Sequence, residues 1–213
     1  MQYSLTQIET ELKKRLDYPY KWLQKQNDYF DTKTNFIYNI FEFEKVLKEI
    51  ELRFKTEVEY EKYFNYTINR WFNFWSAYAV ENIFCSVDGV TPVQNSKDRQ
   101  KDFIIEGVAF DHKTSVLPKE FTSPIKEIVR DSGKLIEWFY NNQSKQQRKH
   151  FKNRLFVVLY SSKREHWKLK SELTWLKKII EHYMLGFNPA YLMKFNFNSL
   201  EPTLSDIIWA IEE

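Results

Sequence analysis

The stretch from Glu59 to Cys85 most constrains the fold, because it is predicted to form one long helix that is apolar nearly all round. Its bulky side chains fall on every side of such a helix: Trp71, Phe72, Phe74, Trp75 and Tyr78. A helix of this kind is normally buried at the centre of a domain. Other elements must therefore cover it, and 213 residues are enough for one ordinary domain.

Composition excludes several classes of function. The chain has only four glycines and contains neither glycine-rich phosphate-binding motif, which argues against nucleotide-driven chemistry. Its single cysteine, Cys85, excludes an internal disulfide and a multi-cysteine zinc site, and it is expected as a small core residue. No apolar run is long enough to cross a bilayer and no secretory signal is visible, so we expect a cytoplasmic protein with no membrane partner.

The basic residues are unevenly distributed. Between Trp138 and Arg164 there are seven basic residues and no acid, which leaves 25 of the 32 Lys and Arg against 29 acids elsewhere. A net charge of only +3 therefore conceals a basic segment that could contact phosphate groups.

The order of elements predicts an α/β or α+β domain with a small mixed sheet flanked by helices. Residues 1–58 are expected to form a helical N-terminal extension packed on the main domain, which comprises residues 59–213. After the long helix we expect two short strands, at 102–107 and 108–116, with Gly107 at the turn. The remaining expected elements are a helix from Ser123-Pro124 to about Tyr140, a strand at 155–160, a helix at 168–185, a strand at 191–197 and a short closing helix at 204–211.

The predicted hairpin brings charged residues together. If Glu106 and Gly107 form a two-residue turn, paired residues have numbers that sum to 213, and Asp102 lies directly opposite Asp111. Opposed residues of an antiparallel pair have Cβ atoms about 5 Å apart. Lys113 follows Asp111 by two residues, so strand alternation returns its side chain to the same face. Two carboxylates and one ammonium are therefore expected at one place.

This combination is suited to phosphodiester hydrolysis. Mg²⁺ binds through one or two carboxylates and keeps water and substrate phosphate as its other ligands, while a nearby lysine can orient or deprotonate the attacking water. Glu81 is a third candidate, because it lies in an apolar stripe of the long helix. A buried carboxylate there needs a partner or a metal.

Asp102, followed nine residues later by Asp111-His112-Lys113 and preceded by a helix that offers Glu81, resembles the motif of the PD-(D/E)XK nuclease superfamily. The resemblance covers about residues 60–165 and implies a restriction endonuclease-like core. It implies that Asp102 and Asp111 bind Mg²⁺ or Mn²⁺, with Glu81 and the backbone carbonyl of His112 as further ligands. It also implies that Lys113 positions the attacking water. The His112 side chain is expected on the opposite face, without a catalytic role.

The motif is short, and a plainer interpretation remains open. Three acid-x-Lys triplets occur, beginning at Glu11, Asp31 and Asp111, and only the last lies on a predicted strand opposite another acid. Lys101 stands where the family often has a proline before the first acid. The alternative is a surface hairpin whose Asp102, Asp111 and Lys113 form an ordinary ion cluster.

Beyond this site, the candidate nucleic-acid contacts are one hydroxyl and seven basic side chains: Ser115, Lys126, Arg130, Lys134, Lys145, Arg148, Lys149 and Lys152. The main hypothesis is a Mg²⁺-dependent nuclease, most simply a DNA endonuclease that leaves 5′-phosphate and 3′-hydroxyl ends. RNA as substrate and a homodimer stay open, and a role in restriction or defence follows from the resemblance alone. The alternatives are a non-catalytic nucleic-acid-binding protein of the same fold and a structural protein that binds a partner through its aromatic N-terminal region.

Overall fold

The computed structural model describes residues 3–93, 101–142, 151–197 and 201–213. The chain divides into two compact units. The first comprises Met1–Ala79 with Lys170–Thr174, and the second comprises Val80–Leu169 with Trp175–Glu213. A domain boundary between residues 58 and 59 stays a prediction.

The first unit is helical. Its helices are α1 (Leu5–Lys14), α2 (Asp28–Lys33), α3 (Phe43–Phe54) and the larger part of α4 (Tyr60–Cys85), with short 3₁₀ turns at Arg15–Asp17 and Asn35–Tyr38. Helix α1 begins at a capping box, in which the Ser4 hydroxyl accepts from the Gln7 amide and the Gln7 side chain accepts from the Ser4 amide. This part of the chain is helical, as predicted.

Helix α4 is buried around most of its circumference, in keeping with a sequence that is apolar nearly all round. Trp71 and Phe72 are fully buried, and Phe43 of α3 packs on Trp71 with ring centroids 5.0 Å apart. Arg15 is also fully buried, because its guanidinium donates to the backbone carbonyl of Tyr18 and to the side chain of Asn69. In the described part of this unit, eight aromatic side chains are buried in its core. Within the described residues, no helix is at once long and apolar enough to span a membrane.

The second unit is built on a six-stranded mixed sheet, as predicted in outline. The strands are β1 (Val90–Pro92), β2 (Phe103–Ile105), β3 (Val108–Val116), β4 (Arg154–Ser161), β5 (Met193–Phe195) and β6 (Thr203–Glu212). Their order in the sheet is β1-β2-β3-β4-β6-β5. Strands β1, β2 and β3 are antiparallel neighbours, β3, β4 and β6 run parallel, and β5 is antiparallel to β6.

Helices α5 (Ile125–Arg130) and α6 (Ser132–Asn141) connect β3 to β4. One continuous helix was expected here, and this prediction is wrong, because Asp131 adopts φ −114° and ψ 50° and separates two helices. The cap residue is Pro124 rather than Ser123. Helix α6 covers one face of the sheet, with the Phe139 ring stacked on Phe156 at 4.8 Å.

The C-terminal segment corrects a second prediction. Residues 204–211 were expected as a closing helix, but they lie in β6, which pairs with β4 through Val157–Ile208 and Leu159–Ala210. A short apolar run such as Ile207–Ile211 has no periodicity that separates a buried strand from a buried helix. Pairing with the buried parallel strand β4 makes this segment a strand. Helix α7 (Leu173–Leu185) is preceded by a 3₁₀ segment at His166–Ser171, a second lies at Pro189–Tyr191, and β5 is shorter than the strand expected at 191–197.

The hairpin between β2 and β3 has the predicted register. Ile105 pairs with Val108 and Phe103 with Phe110, and both turn residues have positive φ, 48° at Glu106 and 79° at Gly107. Two consecutive residues with positive φ match the right-handed twist of the flanking strands. Glycine at the second position avoids the steric cost that a Cβ would add.

We therefore expect Gly107→Ala to lower the free energy of unfolding by about 1 kcal/mol. Gly186→Ala is the matched control, because Gly186 has no positive φ and nothing lies within 4 Å of the added Cβ. Urea denaturation followed by tryptophan fluorescence measures both variants. Equal stabilities of the two variants would contradict the role of the turn.

A buried carboxyl group lies in β6. Asp206 accepts a hydrogen bond from the Tyr183 hydroxyl of α7 at 2.8 Å. Burial raises the pKa of Asp206 above its usual value, although the bonds from Tyr183 and the Ile207 amide oppose this. The folded chain therefore binds a proton at Asp206 more tightly than the unfolded chain does.

This difference makes a prediction about pH. A carboxyl whose pKa is raised by folding stabilises the fold at pH values below its unfolded pKa, and this contribution is lost as pH rises through the folded pKa. Asp206→Asn should thus gain stability relative to wild type between pH 4 and pH 7.5. Urea denaturation at the two pH values tests this, and a stability difference that does not change with pH would contradict it.

Candidate active site

Asp111, His112 and Lys113 lie on β3 where this strand begins to pair with β4. In the parallel register Asp111 is the partner of Arg154, the first residue of β4, and Lys113 is the partner of Phe156. The Arg154 guanidinium binds the Asp111 Oδ2 atom through both Nε and Nη2. The ion pair is largely buried, with 8% of the Arg154 side chain and 21% of the Asp111 side chain exposed. Asp111 is therefore held in place by a cation on the neighbouring strand.

Asp102 lies one residue outside the β2–β3 ladder. Its amide donates to the Phe110 carbonyl at 2.8 Å, and its carboxylate accepts two bonds at Oδ2 from His112. The backbone amide of His112 donates at 2.8 Å, and the imidazole Nδ1 lies 2.7 Å away. The carboxyl groups of Asp102 and Asp111 are close enough to affect each other electrostatically. The two acids are thus brought together as predicted, but Asp102 has His112 as its main partner.

The His112 side chain belongs to this cluster. It is 6% exposed and packs beside the stacked rings of Phe84 and Phe103, whose centroids lie 5.9 and 6.1 Å from its own. Strand alternation does place it on the sheet face opposite to Asp111, as expected. It nevertheless reaches the cluster, because Asp102 contacts residues from both faces. Its expected lack of a catalytic role stays a prediction, but its bond to Asp102 was not expected from the sequence.

Glu81 comes from the last part of α4. It interacts electrostatically with Asp102, His112 and Asp111, so it belongs to the same group of charges. Burial raises the pKa of Glu81, and the negative charge of Asp102 raises it further. A carboxyl that resists ionisation in this position would ionise more readily beside an added cation.

The pKa values of the two aspartates shift in opposite directions. Burial favours the neutral form of Asp102, but the hydrogen bonds and positive charge of His112 outweigh it, and the pKa of Asp102 falls below its usual value. Burial and the negative charge of Asp102 raise the pKa of Asp111, and the positive charge of Arg154 opposes this rise only in part. Two adjacent carboxyls with divergent pKa values carry about one negative charge more easily than two.

The basic groups of the cluster also have shifted pKa values. Burial disfavours the charged form of His112, yet the bond to Asp102 and the surrounding acids raise its pKa. Desolvation lowers the pKa of Lys113, and the positive charge of Arg154 lowers it further. Lys113 is still exposed, so screening by water keeps this effect modest. A lysine with a lowered pKa can accept a proton near neutral pH more readily than an ordinary one.

The donor set partly fits a hard divalent cation. The described residues contain no ready group of three His, Cys, Asp or Glu ligands for a metal. Mg²⁺ requires less from the protein, since one or two carboxylates suffice when water and phosphate complete its shell. The hydrogen bonds of Asp102 to His112 and of Asp111 to Arg154 all use Oδ2. Such partners often orient carboxylates that ligate through another oxygen.

The candidate nucleic-acid contacts are only partly brought together. Ser115 lies two residues beyond Lys113 on β3, and Lys152 lies just before β4. The three basic residues Lys126, Arg130 and Lys134 are exposed, but the break at Asp131 places them on two helices, and Lys134 forms an ion pair with Asp131 itself. Lys145, Arg148 and Lys149 lie outside the described residues.

A cleft of about 330 Å³ is lined by residues of which some are sequence neighbours of the site residues. Its lining comprises Lys101, Ala109, Phe151, Lys152, Asn153, Glu201, Pro202 and Thr203. Lys101 and Asn153 directly precede Asp102 and Arg154 in the sequence, but none of the six charged residues of the cluster described above lines the cleft. The Asn153 amide group bridges strands by donating to the Ala109 carbonyl at 3.2 Å and accepting from the Leu204 amide at 2.8 Å.

Sequence reasoning missed Arg154 and the side chain of His112. Arg154 was one of seven bases in a basic segment, and nothing local indicates that it pairs with an acid 43 positions earlier. Cys85, expected as a small core residue, is half-buried, and burial and the nearby acids raise the pKa of its thiol to about 11.

The contact between His112 and Asp102 is open to a double-mutant cycle. His112→Phe keeps the packing against Phe84 and Phe103 but leaves a half-buried carboxylate without its main partner, so we expect a loss of about 2 kcal/mol in the free energy of unfolding. In an Asp102→Asn background the same substitution should cost at least about 1 kcal/mol less. Urea denaturation with EDTA present measures the four proteins. Additive effects would show that the two side chains do not stabilise each other.

Comparison with known proteins assigns no family to this chain. No protein-family model matches the chain. Searches of curated proteins and of solved structures likewise found no match.

Proposed function

We propose that this protein is a Mg²⁺-dependent phosphodiester hydrolase that cleaves nucleic acid, in the first instance a cytoplasmic DNA endonuclease of the PD-(D/E)XK type. The observation that carries the proposal is the grouping of Asp102, Asp111 and Lys113 where β3 begins to pair with β4, with Glu81 in electrostatic contact with both aspartates. Acids and a lysine that share one position, with pKa values moved from their usual ranges, are typical of active sites.

The order of elements around the site supports the restriction endonuclease-like core that the resemblance implies. Helix α4 precedes β2 and β3, helices α5 and α6 follow, and β4 then pairs with β3 in parallel. The short strand β1 adds one element to the order expected from the sequence. The parallel crossover places the first residue of β4 beside the acid of the Asp-x-Lys motif.

In the proposed reaction each residue has a separate task. A Mg²⁺ ion held by Asp102 and Asp111, with Glu81 as a further acid, would stabilise charge on the phosphoryl oxygens and lower the pKa of a bound water. Lys113 orients a water molecule and accepts its proton. His112 fixes Asp102 through two bonds, and the His112 carbonyl stays a predicted ligand.

The bond changes balance without a further reactant. The water oxygen attacks phosphorus, the bond between phosphorus and the 3′ oxygen breaks, and the products carry a 5′-phosphate and a 3′-hydroxyl. Lys113 takes one proton from the water, and the departing 3′ oxygen gains one proton, so the number of protons balances. Basic residues bind the backbone at a distance from the reaction, and here Lys152, Lys126 and Arg130 are the described candidates.

One observation favours a second candidate, a non-catalytic nucleic-acid-binding protein. Both aspartates already have basic partners, Arg154 and His112, and such pairs also occur where no reaction takes place. For such a protein, DNA binding would depend on salt but would be indifferent to Mg²⁺ and to Asp111→Ala.

The deciding experiment is cleavage of plasmid DNA, single-stranded DNA and RNA with Mg²⁺ or Mn²⁺ present. We expect Asp111→Asn and Lys113→Ala each to reduce the rate at least about 100-fold, because each removes a group required at the reacting phosphate. EDTA should abolish cleavage. Lys119→Ala, which removes an exposed lysine of the same unit, is the matched control and should cleave at the wild-type rate.

A result in which wild type and Asp111→Asn both retard the substrates in a gel and leave them uncleaved would overturn the hydrolase proposal in favour of a non-catalytic binding protein. Cleavage of RNA alone would change the substrate and keep the mechanism.

A further inference from the structure

The charges around Asp111 are nearly balanced before any cation binds. Among the described residues the cluster contains three acids, Glu81, Asp102 and Asp111, and three basic side chains, His112, Lys113 and Arg154. A divalent cation is attracted by an excess of negative charge. This cluster offers little excess, so a cation entering alone meets a weak field.

Arg154 contributes most to this balance. Its guanidinium cannot lose its proton in a protein, unlike an imidazole or an amine. It binds Asp111 Oδ2 through two nitrogens, and both partners are largely removed from water, which strengthens the interaction. An acid held in this way is a poor ligand until the positive charge beside it is matched by another anion.

The guanidinium is also held firmly in position. Its central carbon lies 5.5 Å from the centre of the Tyr140 ring and 5.6 Å from that of Phe156. Tyr140 is itself fixed, because its hydroxyl donates to the Lys152 carbonyl at 2.6 Å. The Nη1 atom is buried and has no hydrogen-bond partner in the part of the chain that the structure describes. Leaving a buried donor unmatched costs stability, so packing alone does not explain this arginine.

We propose that Arg154 is a positioning residue that couples binding of the divalent cation to binding of the substrate phosphate. Its charge on Asp111 opposes tight binding of the cation alone. A phosphate group brings the negative charge that balances Arg154, and Asp111 then becomes available to the cation. The inference rests on the proposed function, and it assigns to that site an order of loading in which cation and phosphate bind together.

Mn²⁺ binding in solution tests the proposal without any cleavage step. The amount of free Mn²⁺ is followed by electron paramagnetic resonance, with and without thymidine 5′-monophosphate as the phosphate probe. Wild type should bind Mn²⁺ several-fold more tightly when the probe is present. Arg154→Gln should bind Mn²⁺ alone about tenfold more tightly than wild type does, because one positive charge beside Asp111 is gone. In this variant the gain from the probe should disappear.

Two further variants separate charge from folding. Arg154→Lys keeps the positive charge, so its affinity for Mn²⁺ alone should stay within about twofold of wild type even if the glutamine variant does not fold. Arg53→Gln is the matched control, because Arg53 also pairs with an acid, Glu49, but on the exposed surface of α3. It should leave both Mn²⁺ affinities unchanged.

The outcomes distinguish this inference from the proposed function. If folded Arg154→Gln binds Mn²⁺ no more tightly than wild type, or if the probe leaves wild-type affinity unchanged, the coupling is overturned even where DNA is cleaved. If the expected affinities are found but wild type cleaves no nucleic acid, the coupling stands and the hydrolase proposal fails.

Discussion

The ion pair between Asp111 and Arg154 lies where the antiparallel and the parallel parts of the sheet meet. It joins β3 to β4 at the first residue of their parallel pairing, where one strand supplies an acid and the other a permanent cation. Without Arg154 the Asp111 carboxylate would be buried next to Asp102 with no compensating charge, which is strongly unfavourable. Since β4 is also the partner of β6, the same register positions the apolar centre of the sheet.

The local part of the site could be predicted from the sequence. Two turn residues, one of them Gly107, determine how β2 and β3 pair, and this register brings Asp102 towards Asp111. Glu81 could be found as a carboxylate in an apolar helical stripe. In each case the signal lies within a few residues or one element, where periodicity and turn chemistry are informative.

The rest depends on contacts that no local pattern encodes. Arg154 reaches Asp111 only because two helices return the chain to the sheet in parallel, and a basic residue in a basic segment carries no sign of that register. The bond between the His112 side chain and Asp102 was not predicted, because Asp102 lies one residue outside the β2–β3 ladder. Strand β6 was mistaken for a helix because a short apolar run indicates burial but does not distinguish a strand from a helix.

The division of the sheet into a local and a distant half has a consequence for how the protein folds. The β2–β3 hairpin closes over a two-residue turn and can form within microseconds, whereas parallel pairing of β3 with β4 must wait for α5 and α6. During that interval Asp102 and Asp111 are already neighbours, but their arginine has not arrived. Repulsion between these two acids weakens the early hairpin until Arg154 pairs with Asp111. We expect closure of the long connection, rather than the turn, to limit the rate at which the native sheet forms.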